Sequence, residues 1–255
     1  MHEIKLPPLV AHRGYLDRYP ENTWMGREAA LAAGACWVEF DVQMSADGVF
    51  ILLHDADFQR TAACTRSVFD ARSDRLHDIS VHEPQRFGDR FAPLAVSTLA
   101  DVLARMRSFP DARAMIEVKT ESLQHWGLEK VMDALLEQLG AFREQCVLIS
   151  FSYAALEYAQ RKGTLDTGWV LTRYDGQHLQ QARQLNPGYL ICNETRLPAG
   201  AEPWPGAWQW MLYDIRDPAA ALAWARRGVS LIETAAIETM LQHPVLARRA
   251  CRHGL

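Results

Sequence analysis

The chain has 255 residues, of which 49% are apolar and 23% are charged, and both values are typical of a folded globular protein. Its 27 Lys and Arg residues and 31 Asp and Glu residues give a net charge of −4, which argues against binding nucleic acid or an anionic membrane through bulk charge. No apolar run approaches the roughly 18 residues that cross a bilayer, so stable membrane insertion is not expected.

Short apolar runs and longer amphipathic segments alternate along the chain. A helix over 23–33 is indicated by Asn22 or Thr23 as N-cap and by Gly34 at its end. The polar stretch 56–96 is predicted to be a long loop or small insertion, and a loop of this length commonly covers a functional site. Strands are predicted at 9–12, 36–42, 49–54, 114–119, 146–151, 168–171, 189–192, 208–213 and 229–232. Further helices are predicted at 98–107, 123–139, 153–162, 177–185 and 218–227.

This alternation predicts parallel strands joined by crossover helices, and hence an α/β fold. We predict a TIM (β/α)8 barrel that forms a single domain over 1–255, with the insertion after the third strand lying over the active-site face. Nine strand candidates are one more than such a barrel needs. Because the turn Ala46-Asp47-Gly48 is too short for a parallel crossover, we expect residues 41–49 to form part of an antiparallel hairpin, or one strand candidate to be peripheral.

Five cysteines are widely spaced, and the first eight residues lack the apolar stretch of a signal peptide. An odd number of cysteines without a C-x-x-C pair disfavours a disulfide framework and a cysteine-based zinc site. We therefore expect a reduced, cytoplasmic protein. The cysteines are Cys36, Cys64, Cys146, Cys192 and Cys251.

Four polar clusters lie at or near the C-terminal ends of predicted strands, where a TIM barrel carries its active site. They are His12-Arg13-Gly14, Glu39-x-Asp41, His54-Asp55 and Glu117-x-Lys119. Polar residues at strand ends often only begin a solvated loop, but four such clusters together indicate a site.

Three carboxylates in these clusters predict a metal site. Glu39 and Asp41 are two residues apart on one strand, so their side chains point to the same side. Adjacent carboxylates repel each other unless a cation lies between them, and a hard divalent ion prefers oxygen ligands. Glu117 on another strand can complete the ligand set. The alternative is a structural ion pair of Glu39 or Asp41 with Arg13 or Lys119.

The remaining residues of the clusters are suited to phosphodiester chemistry. His12 and His54 can accept and donate a proton near neutral pH, although a lone histidine is more often a structural residue. Arg13 and Lys119 add positive charge that can bind phosphoryl oxygens. A histidine pair, a hard metal and two cations together favour phosphodiester hydrolysis.

With these residues in this order, the sequence resembles the glycerophosphodiester phosphodiesterases. The motifs that carry the resemblance are His12-Arg13-Gly14, Glu21-Asn22-Thr23, Glu39-Phe40-Asp41, Asp47-Gly48, His54-Asp55, Arg60-Thr61, Glu117-Val118-Lys119 and Ser150-Phe151. They extend over about residues 9–151 and continue more faintly to 233. The resemblance implies a phospholipase-C-like TIM barrel that hydrolyses glycerophosphodiesters, its small-molecule partners, to sn-glycerol 3-phosphate and an alcohol.

The resemblance also implies a role for each matching residue. It implies that His12 and His54 are the acid–base pair and that Arg13 and Lys119 contact the phosphate. It further implies that Mg²⁺ or Ca²⁺ is the cofactor, bound by Glu39, Asp41 and Glu117.

The last third of the chain departs from the family pattern. The Trp-Thr-Val-Asn run of a late strand is replaced by Trp210-Met211-Leu212-Tyr213, and Glu233-Thr234 replaces Thr-Asp near the last strand. Trp210 is predicted to pack against the glycerol end of the substrate. The alternative functions are lysophospholipase D-type hydrolysis, which needs an apolar groove for an acyl chain, and a non-catalytic barrel that binds phosphodiesters or a protein partner.

Overall fold

Eight parallel strands close into a barrel in the computed structural model, which describes residues 6–163 and 165–253. The barrel closes because its first strand pairs with both its second and its last strand. The eight strands are β1 (Leu9–Ala11), β2 (Trp37–Met44), β4 (Arg113–Val118), β5 (Cys146–Ser150), β6 (Asp166–Val170), β7 (Tyr189–Asn193), β8 (Gln209–Tyr213) and β9 (Leu231–Thr234). The predicted TIM barrel is confirmed.

The ninth strand, β3 (Phe50–Leu52), lies outside the barrel and pairs antiparallel with the end of β2. Its register joins Val42 to Leu52 and Met44 to Phe50. Gly48 has a φ of 81°, which allows the tight turn between the two strands. The predicted hairpin is therefore confirmed, and it explains the excess strand candidate.

Helices follow most barrel strands, and many begin at a polar N-cap such as Thr23, Thr98 or Ser152, whose hydroxyl accepts a backbone N–H. The single helix predicted over 123–139 was wrong, because Gly127 breaks it at a φ of 87°. The helices are α1 (Trp24–Ala32), α2 (Gln59–Ala62), α3 (Pro84–Phe87), α4 (Leu99–Met106), α5 (Thr120–Trp126), α6 (Leu128–Leu139), α7 (Tyr153–Lys162), α8 (Gly176–Leu185), α9 (Pro218–Arg226) and α10 (Ile237–Leu241). None of these helices is long and apolar enough to span a bilayer.

Side chains alternate between two cores along each barrel strand. One core fills the barrel and includes Trp37, Met115 and Met211. The larger core lies between the barrel and the helices and includes Phe40 and Ile116 from the alternate positions. This alternation determines which residues of each strand can reach the barrel end.

The connection from β7 to β8 departs from the alternating pattern. The described residues 194–208 contain a 3₁₀ turn, Glu194–Arg196, instead of an α-helix. Trp204 stacks on Tyr174 with ring centroids 4.1 Å apart, and its carbonyl accepts the indole N–H of Trp210. Aromatic side chains therefore cover the outer face of β8 where a helix is missing.

Residues 56–96 form a small insertion with an apolar core of its own. Phe58, Val68 and Leu76 are buried there against Ile51 and Leu53 of the hairpin. The insertion contains the short helices α2 and α3 and two 3₁₀ turns. The organisation of residues 1–255 as one domain stays a prediction, since part of that range lies outside the described residues.

Cys36, just before β2, forms a disulfide with Cys251 in the C-terminal tail. The tail returns to the loop between α1 and β2, where the Cys251 N–H donates to the Gly34 carbonyl at 2.9 Å. The expectation of an entirely reduced chain was therefore wrong for this pair. The sequence did not indicate the pairing, because only the path of the tail brings the two residues together.

Candidate active site

A cavity of about 180 Å³ opens where the C-terminal ends of the barrel strands meet. One side is lined by charged and polar groups and the other by apolar side chains. The lining residues are His12, Arg13, Glu39, Asp41, His54, Glu117, Ile149, Phe151, Val170, Ile191, Tyr213, Asp214 and Glu233. Six of the eight residues predicted for the site therefore line one cavity, and Lys119 and Trp210 do not.

The three predicted metal ligands come together as expected. Glu39 and Asp41 point inward from β2, and the register of the barrel places Glu117 of β4 beside Asp41. One oxygen from each of the three carboxylates lies within 4.8 Å of the others. Burial and the charge of Asp41 raise the pKa of Glu39 well above its usual range, and the same causes raise the pKa of Glu117 to about 7.

Arg13 and Lys119 form ion pairs within this cluster. Arg13 Nε lies 3.3 Å from Asp41 Oδ2, and the backbone N–H of Arg13 donates to Glu39 at 3.0 Å. Lys119 Nζ donates to Glu117 at 2.8 Å and lies 3.4 Å from Asp41. Burial alone would raise the pKa of Asp41, but Arg13 and Lys119 hold it below its usual range. The ion pairs considered from the sequence are present.

A fourth carboxylate, Glu233 at the end of β9, joins the cluster beside Arg13 and Lys119. Glu233 is buried, and its side chain lies close enough to His12 and Glu39 for the three to share one ion. Burial and the charge of Glu117 raise the pKa of Glu233 well above its usual range. Sequence reasoning missed Glu233, although its spacing of two residues from the inward-facing Leu231 carried the signal.

His12 follows β1 and presents its two ring nitrogens to different groups. Nε2 lies 3.6 Å from Glu233 and 4.0 Å from Glu39. Nδ1 lies 3.8 Å from Asp214 Oδ1. Burial and the nearby charge of Arg13 lower the pKa of His12 to about 4, so the ring is neutral at pH 7.

His54 reaches the cavity by way of the hairpin. The antiparallel pairing of Leu52 with Val42 returns the chain toward Asp41, and His54 follows two residues later. His54 Nδ1 lies 2.7 Å from Asp55 Oδ1, and Asp55 Oδ2 accepts Arg60 Nε at 2.8 Å. Nε2 makes no hydrogen bond to the described residues, and His54 lines the cavity.

The loop from His12 to α1 contains three residues with positive φ, namely Arg13, Gly14 and Asn22. At Gly14, φ is 87° and a Cβ would lie 2.9 Å from the Arg27 nitrogen, so only glycine fits. Asn22, with a φ of 56°, donates its amide to Asp41 at 3.0 Å and accepts the Asp41 N–H at 3.1 Å. The carboxylate of Glu21 accepts hydrogen bonds from the guanidinium groups of Arg13 and Arg60. The Glu21-Asn22-Thr23 motif was recognised in the sequence, but the structural role of Asn22 was not.

Trp210 does not reach the site, so its predicted substrate contact was wrong. Its side chain is buried between β8 and the β7–β8 connection, where it donates to the Trp204 carbonyl at 2.9 Å. Met211 and Tyr213 occupy the inward positions of β8, and alternation turns Trp210 outward. Tyr213 lines the cavity instead.

Comparisons with known proteins identify relatives of this chain in sequence and in fold. The chain is 28% identical over 148 residues to a glycerophosphodiester phosphodiesterase of Caldanaerobacter subterraneus, covering 58% of this chain and 59% of that protein. It is 28% identical over 150 residues to a Bacillus altitudinis protein of the same name, with the same two coverages. The matched region thus spans less than two thirds of the length of these relatives.

A phosphodiesterase of Oleispira antarctica has a similar fold, with a TM-score of 0.79 at 20% identity over 93% of this chain and 96% of that one. A glycerophosphodiester phosphodiesterase of Agrobacterium tumefaciens has a TM-score of 0.73 at 23% identity, covering 93% of this chain and 100% of that one. The sequence profile of the glycerophosphoryl diester phosphodiesterase family matches residues 12–183, and the chain belongs to that family.

Proposed function

We propose that the protein hydrolyses glycerophosphodiesters to sn-glycerol 3-phosphate and an alcohol, with a divalent metal ion as cofactor. The observation that carries this proposal is the convergence of His12 and His54 on one cavity with three buried carboxylates. The structural relative from Oleispira antarctica, described in complex with the product sn-glycerol-3-phosphate, supports this substrate class.

The donor set fits a hard divalent cation. Glu39, Asp41 and Glu117 offer three buried carboxylate oxygens within reach of one ion, and when all three are ionised they carry one more charge than Arg13 and Lys119 together. Oxygen donors of this kind favour Mg²⁺ or Ca²⁺ over softer ions. When bound there, the ion would neutralise charge on the phosphate and lower the pKa of a nearby hydroxyl.

The histidines supply the proton transfers in this proposal. The 2-hydroxyl of the glycerol attacks phosphorus while one imidazole takes its proton. The bond from phosphorus to the alcohol breaks, and the other imidazole gives the leaving oxygen a proton. Water then opens the cyclic glycerol phosphate, with the two histidines in exchanged roles. Direct attack by water on the diester is the competing route and uses the same residues.

Arg13 and Lys119 are proposed to contact the phosphate. Arg13 lines the cavity, and its guanidinium can bind two phosphoryl oxygens at once. Lys119 is held against Glu117 and Asp41, so it acts first by placing positive charge beside the carboxylates. In this proposal Arg13 contacts the phosphate directly, and Lys119 adds positive charge beside the carboxylates.

The size of the cavity favours a small substrate over a lysophospholipid. Its volume of about 180 Å³ offers little room for an acyl chain beside the glycerol phosphate group. Its apolar wall consists of only a few side chains, including Ile149, Phe151 and Ile191. An acyl chain would therefore lie outside the cavity, at the protein surface.

A coupled assay for released glycerol 3-phosphate tests the function. The substrates are the choline, ethanolamine and glycerol diesters of glycerol 3-phosphate and a lysophospholipid, each with Mg²⁺, with Ca²⁺ and with EDTA. We expect turnover of at least one diester that EDTA abolishes and either ion restores. Turnover that persists in EDTA would contradict the proposed metal dependence. No turnover of any substrate would favour the non-catalytic barrel.

A further inference from the structure

We infer that Asp214 is a positioning residue for His12, holding the imidazole so that Nδ1 carries the proton and Nε2 faces the reacting groups. The inference rests on the proposed acid–base role of His12. It concerns a residue that comes directly after β8, in the part of the chain where the family pattern is weakest.

His12 Nδ1 is buried and has no hydrogen-bond partner among the described residues. Leaving a buried N–H unpaired is costly, so a native state normally supplies an acceptor. Asp214 Oδ1 lies 3.8 Å away, on the side of the ring opposite to Glu39 and Glu233. Asp214 is therefore placed to accept a hydrogen bond from the Nδ1–H group.

The backbone and a neighbouring strand hold Asp214 in this place. Asp214 has a φ of 67°, in the left-handed region that Asp and Asn adopt more readily than other non-glycine residues. Asn193, at the end of β7, donates its side-chain amide to Asp214 Oδ2 at 2.5 Å. That bond occupies one carboxylate oxygen and leaves Oδ1 on the side of His12.

The second histidine has the same kind of partner. His54 Nδ1 lies 2.7 Å from Asp55 Oδ1, a full hydrogen bond. A carboxylate at Nδ1 fixes the tautomer of an imidazole and stabilises its protonated form. The cavity thus contains two imidazoles, each with an aspartate on the side of Nδ1.

The separation of 3.8 Å is longer than a hydrogen bond, so the contact must shorten to act. About half of the Asp214 side chain is exposed, which leaves room for a small rotation. Attraction between the two groups increases when His12 takes up a proton during the reaction. Catalytic hydrogen bonds are often long without substrate and tighten in the complex.

The test compares Asp214→Asn, Asp214→Ala and Asp214→Glu with the wild type and with Asp89→Asn, a control at an exposed residue of the insertion. We expect kcat of the Asn and Ala variants to fall about 10- to 100-fold, as for other residues that orient a functional imidazole, with KM and the activating metal concentration changed less than about twofold. The Glu variant should recover part of kcat, and Asp89→Asn should equal the wild type. Asn193→Ala should also lower kcat, by a smaller factor than Asp214→Ala.

Nitrogen-15 NMR of the His12 ring gives a readout that is independent of turnover. We expect the Nδ1–H tautomer in the wild type and a shift toward the Nε2–H tautomer in Asp214→Asn. Unchanged kcat together with an unchanged tautomer would overturn the positioning role while leaving the proposed function intact. If the wild type hydrolyses none of the diesters, the proposed function fails, and the tautomer still decides whether Asp214 positions His12.

Discussion

Arg60 binds Glu21 through both arms of its guanidinium, with Nη1 at 2.5 Å from Oε2 and Nη2 at 2.7 Å from Oε1. Its Nε donates to Asp55, the partner of His54. One side chain of the insertion thus joins the loop after β1 to the residue that orients a histidine. The insertion consequently contributes to the geometry of the site.

Replacement of Arg60 should therefore lower activity without unfolding the barrel. In Arg60→Lys, the three donors are all on one nitrogen and cannot reach both Glu21 oxygens and Asp55 as the guanidinium does, so we expect kcat to fall about tenfold or more. Steady-state kinetics and thermal melts on Arg60→Lys and on Arg75→Ala, a control at an exposed arginine of the same insertion, check this. Wild-type kcat in Arg60→Lys would contradict the role of this network.

Loss of one carboxylate from the metal site should raise the metal requirement. We expect Glu39→Gln to need a much higher Mg²⁺ or Ca²⁺ concentration and to lose about 10²–10³ in rate, as for removal of one transition-state charge contact. Metal titrations of activity measure this, with Glu157→Gln as an exposed control on α7. Full activity of Glu39→Gln in EDTA would exclude a metal role for this residue.

Without metal, the stability of the protein should depend on Glu117. Burial and neighbouring Asp41 raise the pKa of Glu117 to about 7, so the folded state binds its proton more tightly than the unfolded state. The wild type should lose stability as pH rises from about 4.5 to 7. In EDTA, the melting temperature of Glu117→Gln relative to that of the wild type should therefore be higher at pH 8 than at pH 5. An equal gain at both pH values would contradict this linkage.

Both histidines should be needed for turnover but not for metal binding. We expect His12→Ala and His54→Ala each to lose most activity, by a factor of about 10² or more, while metal still raises the melting temperature. Because burial lowers the pKa of His12 to about 4, this residue stays neutral and able to accept a proton down to mildly acidic pH. A variant with wild-type turnover would remove that histidine from the mechanism.

Arg27 of α1 should be replaceable by an apolar residue. Its guanidinium is fully buried, stacks 4.4 Å over Phe40 and has no hydrogen-bond partner among the described residues. Burial lowers the pKa of Arg27 to about 9, which reflects the cost of the buried charge. We expect Arg27→Met to raise the free energy of unfolding by about 1–3 kcal/mol, measured by urea denaturation against Arg105→Met, a control at an exposed cation–π pair. A clear loss of stability would mean that the charge is compensated.

Much of the barrel and most of the site could be predicted because both follow from local patterns. The alternation of side chains in a strand brings Glu39 and Asp41 to one side, and the strand ends of a parallel barrel meet at one face. The same alternation predicts that Tyr213, and not Trp210, faces the cavity. The prediction of Trp210 as a site residue came from the family pattern instead. Local rules were more reliable than resemblance in this part of the chain.

Contacts between distant segments could not be predicted. The pairing of Asp214 with His12 depends on β8 lying two strands from β1 in the closed barrel and on the backbone of Asp214 itself. The break of the helix at Gly127 was readable in principle, but the surrounding apolar periodicity continues through it. No spacing rule relates Cys36 to Cys251.

The disulfide between Cys36 and Cys251, which are 215 positions apart, closes most of the chain into a covalent ring. Every described barrel strand from β2 to β9 lies within the covalent ring, and only β1 belongs to the free tail. The N-terminal tail carries His12. Its strand β1 pairs with β2 and β9, so the barrel is closed by the one strand that lies outside the covalent ring. A single backbone cut within the ring leaves the molecule in one piece, whereas a cut between His12 and Cys36 detaches this histidine from the rest of the site.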